Sequence, residues 1–207
     1  IMRATLFSAA IAAAVLTALP VTAQAPAGKP GSADPTKVAA GSYAIDPGHT
    51  QILFAYDHMG FSQNMGVIAM PTGTLALDPA KPEAAKVSVT IPVANLRTGI
   101  PKLDEHLMGA QFFDSAKFPN ATFESTGVKV DGTTADITGN LTIKGKTVPV
   151  TLDAVFYGAG ANPMSKKTTI GFTATTTVKR SAFGMDLAAP IVDDAIQLKI
   201  VAAFEKQ

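Results

Sequence analysis

The chain has 207 residues, 47% hydrophobic and 16% charged, with no cysteine, no tryptophan and a formal net charge of +1. A charged fraction below the roughly 25% usual in soluble domains excludes a disordered chain or a nucleic-acid coat. Near-neutrality also removes any electrostatic reason to expect nucleic acid or an anionic membrane as partner, and the length suits one domain with a sizeable core.

Residues 1–23 hold 17 hydrophobic residues and one charge, Arg3. Met2-Arg3, the apolar run 4–19, the helix-breaking Pro20 and the small residues Val21-Thr22-Ala23 match a secretory signal peptide cleaved after Ala23. The alternative is a membrane anchor, but the run is shorter than the ~20 residues a span needs and carries Thr5, Ser8 and Thr17. The mature chain is therefore expected in the periplasm without an integral membrane span. Lacking cysteine, it must be stabilised by burial alone. Residues 24–41, with Pro26, Pro30 and Pro35 among Ala, Gly, Ser and Lys, read as a flexible linker, leaving 42–207 as the folded domain.

From residue 42 onward the dominant signal is alternation of apolar and polar residues, the period of a strand with one buried face. It is clearest over 86–91, 135–144, 148–156, 170–179 and 196–204, and weaker over 43–45, 50–58, 64–77 and 121–130. Asp131-Gly132 and Lys144-Gly145 supply hairpin turn chemistry between neighbouring segments. Residues 93–118 do not alternate, and 101–108 reads as a short helix opened by Pro101 and ended by Gly109. Eight or nine strands with one helical insertion predict an all-β, antiparallel, closed or nearly closed barrel, a two-sheet sandwich being the alternative.

The inward faces mix large side chains (Phe54, Phe123, Phe156, Phe172) with small ones (Ala121, Ala135, Gly139, Ala154, Ala174, Ala202). So many small inward residues either leave a ligand cavity or are covered by the helix and loops plugging the space.

Few residues suggest chemistry. His49 and His58 are nine apart, so on one continuous strand they would face opposite sides, and His106 lies in the helical insertion. No cysteine, no His-Glu-x-x-His and no Gly-x-Ser-x-Gly setting is present, so no catalytic constellation emerges. Arg180 continues the parity of Ile170, Phe172, Ala174 and Val178 and is expected to point into one end of the barrel. There it either pairs with Asp186, Asp193 or Asp57 or contacts a ligand's polar head. Phe112, Phe113, Phe118 and Phe123 either anchor a loop on the core or line an apolar ligand's path.

Several of these segments also carry a resemblance. Tyr43-Ala-Ile-Asp-Pro-Gly-His-Thr50 with Phe54 and His58, Asp104-Glu-His106-Leu107, Phe112-Phe113-Asp114, Phe118-Pro119 and Phe123-Glu-Ser125 resemble the YceI-like family, in order along the chain. Gly139-Asn-Leu-Thr-Ile-Lys-Gly145 and Lys179-Arg180-Ser-Ala-Phe183-Gly-Met185 extend the likeness to essentially 42–204. Thr50 stands where the family usually has Ser, and Gly66-Val67-Ile68 lacks an aromatic often found there. The resemblance implies an extended lipocalin-like β-barrel of about eight strands, periplasmic, that binds a polyisoprenoid or similar long-chain amphiphile such as a quinone or polyprenyl derivative. It implies no cofactor beyond that lipid.

The reading that follows is a carrier or sequestering protein, with a homodimer as a possible state. Tentative ligand contacts are Phe54, His58, Asp104, His106, Phe112, Phe113, Phe118, Phe123, Phe172, Arg180, Phe183 and Met185, with the head group oriented by Arg180, His58 and the Asp104/His106 loop. The alternatives are a small metal-dependent or redox enzyme using His49, His58 or His106, and a ligand-free envelope interaction module.

Overall fold

The alternating segments become sheet. The computed structural model describes residues 28–207, so the signal-peptide reading and residues 24–27 of the linker lie outside the described residues. Its strands are β1 (Gly41–Ile45), β2 (Gln51–His58), β3 (Ser62–Ala69), β4 (Thr72–Leu77), β5 (Lys86–Pro92), β6 (Leu96–Arg97), β7 (Asn120–Asp131), β8 (Thr134–Ile143), β9 (Lys146–Ala161), β10 (Thr168–Lys179) and β11 (Ala195–Lys206). They form one antiparallel sheet, ordered β1-β4-β5-β7-β8-β9-β10-β11-β2-β3-β6. A further pairing of β1 with β11, Tyr43 opposite Lys206 and Ile45 opposite Phe204, closes it.

Three pairs of these strands are single barrel staves that bend. β1 and β2 run along the same strand β11 and are separated by the 3-10 turn Pro47–His49. β3 and β4 separate at Met70-Pro71 and pair with β2 and β1 respectively. β5 and β6 separate at the turn Val93–Asn95 and pair with β4 and β3. Proline, which cannot donate to a ladder, stands at each break. Counting each bent stave once gives the closed eight-stranded barrel of a lipocalin-like fold.

Turns and helix follow local chemistry. Lys144 and Gly145 have φ of 51° and 71°, the two positive angles of a two-residue hairpin loop. The β7–β8 loop is displaced by one residue from the expected Asp131-Gly132. Asp131 pairs with Thr134, so Gly132 (φ 59°) and Thr133 form the loop, with glycine at the first central position. The single helix, α1, spans Pro101–Met108 and is terminated by Gly109, whose N–H donates to His106 O.

One end of the barrel is filled. Leu107 of α1 joins Leu96 and Ala121, and Phe183 and Met185 join Leu141 and Val178, with Phe112 and Phe113 packed against both groups. Toward the other end the core continues as Tyr43, Ile45, Leu75, Ile170 and Phe204.

The expected flexible linker lies against the barrel from Pro30 onward. Strand β9 runs on to Ala161 past its last partner in β8, where Thr134 faces Val155, and so presents a bare edge. Ser32 covers it, donating its N–H to Ala159 O at 2.9 Å and accepting from Ala159 N–H at 2.8 Å. An unpaired strand edge is a template for any extended chain, and this one is satisfied internally.

Candidate ligand-binding cavity

The end of the barrel opposite α1 is hollow, with a cavity of about 300 Å³. Small residues on neighbouring strands create it. Ala135 of β8 faces Ala154 of β9, which faces Ala174 of β10, and all three line the space together with Ala202 of β11. Across from them stand Leu75, Val87, Val89 and Val128. Phe156, Phe172 and Phe204 form a further wall, their rings edge to face at centroid distances of 5.9 and 6.2 Å.

The lining carries no charge among the described residues. Thr50 is 2% exposed, and its hydroxyl is already occupied, accepting from Ala203 N–H at 3.1 Å and donating to Ala203 O at 3.3 Å. The remaining polar side chains, Thr133 and Thr134, are exposed at the rim in the β7–β8 turn, which faces Pro35, Pro79 and Pro82 across the mouth. Such a space favours an apolar chain inside and leaves polarity only at the mouth.

Of the expected contacts, Phe123 and Phe172 line this cavity. Phe54 does not: its ring covers the backbone of Gly66 on the paired strand, within the core around Ile52 and Leu96. The absent aromatic at 66–68 has this cause at Gly66, where Phe54 takes the volume a side chain would need. Phe112, Phe113, Phe183 and Met185 form the plug at the filled end, and Phe118 packs on Gly145 there.

Arg180 is a correction in both respects. Strand β10 ends at Lys179, and Arg180 opens a 3-10 turn, so strand parity no longer applies to it. It pairs with neither a carboxylate nor a cavity. Only 6% exposed, it donates Nε to Asp193 O (2.9 Å), Nη1 to Met185 O (2.5 Å) and Leu187 O (2.9 Å), and Nη2 to Val192 O (2.8 Å). The guanidinium thus stitches the loop 180–194 over the barrel's filled end, with four of its five N–H donors committed to backbone carbonyls.

The other polar candidates are likewise away from the cavity. Asp104 accepts from Thr98 Oγ1 at 2.6 Å and Thr98 N–H at 2.7 Å, tying α1 to the exit of β6. The Thr98 hydroxyl, with help from the amide and Arg97, holds its carboxyl below the ordinary aspartate range. His106 is exposed, edge-on to Phe112 at 4.9 Å. His58 ends β2 in a bridge with Val192. His49 lies in the turn before β2, with Nδ1 2.6 Å from Asp46 Oδ2. The three histidines are therefore held by separate local structures, and no three His, Asp or Glu side chains converge among the described residues.

Residues 43–204 match the YceI-like domain. This chain belongs to the YceI-like family. It is 41% identical over 148 residues to Protein YceI of Salmonella arizonae, covering 70% of this chain and 77% of that protein. Among solved structures, Burkholderia cenocepacia BcnA superposes with a TM-score of 0.69 at 27% identity, covering 77% of this chain and 98% of BcnA. A polyisoprenoid binding domain from Saccharophagus degradans shares the fold, with a TM-score of 0.56 at 14% identity over 80% of this chain and 98% of that one. The YceI-like motifs legible in the sequence fall mostly on the filled end, where they build turns and plug. Much of the cavity is instead made by alanines and valines, which carry no motif. Sequence reasoning missed Pro35, Val38, Pro79 and Pro82 altogether, because they sit in proline-rich connections without a period.

Proposed function

We propose that this YceI-like protein binds a polyisoprenoid or similar long-chain amphiphile with its chain inside the barrel and its head group at the mouth near Thr133 and Thr134. The observation that carries this is an uncharged apolar cavity whose only deeply placed polar side chain, Thr50, is already hydrogen-bonded. Chain burial would supply most of the affinity, at ~0.8 kcal/mol per CH2 before ordering costs. The shared fold with a polyisoprenoid-binding domain supports the same chemistry. The head group is assigned to the mouth and away from Arg180, which is buried at the filled end with four of its five N–H donors on backbone carbonyls.

A carrier or sequestering role in the periplasm follows from the leader-like composition of residues 1–23 together with a ligand that cannot cross water unaided. Organic extraction and mass spectrometry of purified protein should recover a long-chain lipid, and N-terminal sequencing of the exported protein should begin at Gln24. Repeated recovery of no lipid, with no binding of geranylgeraniol in titration, would overturn the lipid reading.

A further inference from the structure

The matched family region begins at Tyr43, yet Pro35 and Val38 line the cavity. They belong to a strap, residues 28–40, held to the barrel at two points. At one, Ser32 exchanges both backbone hydrogen bonds with Ala159. At the other, Tyr43, which is fully buried, donates its hydroxyl to Ala39 O at 2.5 Å. Between them Asp34 accepts from Thr36 N–H at 3.0 Å and caps the 3-10 turn Pro35–Lys37 at the mouth.

The barrel is shaped to receive this strap. Ala159 is flanked by Gly158 and Gly160 on β9, and neither glycine has a positive φ, so the strand itself would accept a side chain at either. The strap would not. A Cβ at Gly160 would collide with the Pro30 carbonyl, its carbon at 2.9 Å, and one at Gly158 would lie 3.1 Å from Ser32 O. Two residues that cost a strand packing and backbone entropy are explained by the close approach of another backbone.

We propose that the strap is a specificity-determining wall of the lipid site, with Pro35 and Val38 setting the size of the mouth and retaining the bound chain. The proposal rests on the lipid-binding reading and adds that residues outside the family region govern release. Two point variants of the whole protein undock the strap without entering the cavity. Gly160→Val places a strand-favouring side chain where the strap runs, and Ser32→Pro removes the donor to Ala159 O.

Docking is read from hydrogen-exchange protection of the Ala159 amide. Release is read by stopped-flow dissociation of geranylgeraniol, using an apolar fluorescent displacement probe. Both variants should lose Ala159 protection and release geranylgeraniol about tenfold faster than the parent. Lost protection with unchanged release would overturn the wall while leaving lipid binding intact. Persistent protection in both variants would overturn the docking itself. Failure of the parent to bind geranylgeraniol would overturn the lipid reading, and the wall with it.

Discussion

The ring of Phe123 lies over the backbone of Gly139 on the neighbouring strand, where an added Cβ would meet ring atom Cε2 at 2.5 Å and Glu124 O at 2.7 Å. Phe123 is 5% exposed and belongs both to the packed end of the barrel and to the cavity lining, so this contact sets where packing stops and space begins. Gly139→Ala should push the ring off its seat and cost about 1–3 kcal/mol, as overpacking of a filled core does. Urea unfolding checks this. An unchanged midpoint would mean the ring can yield at no cost.

Arg180 separates stability from binding. Arg180→Met removes the donors to four backbone carbonyls and leaves those groups without their partner in a closed loop. At ~1–3 kcal/mol for each buried group left unsatisfied, a loss of at least about 3 kcal/mol is expected. Geranylgeraniol affinity, measured well below the variant's Tm, should change less than about twofold, since the side chain does not reach the cavity. Weakened binding with undiminished stability would show that Arg180 contacts the ligand after all.

Filling the cavity should have the opposite profile. Ala154 and Ala174 face each other across β9 and β10, 5% and 8% exposed. Leucine at both positions replaces ligand volume with protein, so affinity for geranylgeraniol should fall by tenfold or more, or about 1.4 kcal/mol. Tm should hold or rise, because the added atoms occupy space that was void. Displacement fluorescence and thermal denaturation together test it, and unaltered affinity would place the lipid elsewhere.

One source of acid sensitivity should lie in the loop that Arg180 organises. Asp194 accepts from Ser181 N–H at 2.8 Å and from Ser181 Oγ at 2.7 Å. The Ser181 amide first, then its hydroxyl and the charges of Arg180 and Lys179, hold the Asp194 carboxyl below the ordinary aspartate value of 3.8. A depressed folded-state value stabilises the fold above the unfolded value, and that contribution is lost as pH falls through the folded one. Stability attributable to Asp194 should therefore be constant at neutral pH and decline below about pH 4. Asp194→Asn should be less stable at pH 7 and flatter in that acid window, as read by urea unfolding across pH. Parallel curves for parent and variant would rule the carboxylate out as a source.

Much of the fold was legible because period-two alternation is a local property of a half-buried strand. Helix α1 fell on its expected bounds, Pro101–Met108, because proline and glycine punctuate both ends. The β7–β8 loop shifted by one residue because either Asp131-Gly132 or Gly132-Thr133 can turn the chain, and cross-strand register decides between them. Strand parity correctly turned Ala135, Ala154, Ala174 and Ala202 toward the cavity. It misplaced Arg180, because parity holds only while the strand continues and β10 ends one residue earlier. Phe112 and Phe113 suited either a loop anchor or a lining, Phe183 and Met185 were expected as ligand contacts, and packing made all four the plug.

By itself, then, the sequence determined antiparallel strands with small inward residues and a YceI-like pattern of turns, all of which depend on neighbours along the chain, while closure into a barrel needed the pairing of β1 with β11. Which end of that barrel is hollow depended on the tertiary structure. Side-chain volumes from α1, the 109–119 segment and the 180–194 loop converge on one end, and alanines from four strands converge toward the other. The same holds for residues 28–40. Nothing in their composition distinguishes a linker from a strap, and the difference lies in a bare edge of β9 more than a hundred residues away along the chain, flanked by two glycines that let another backbone approach.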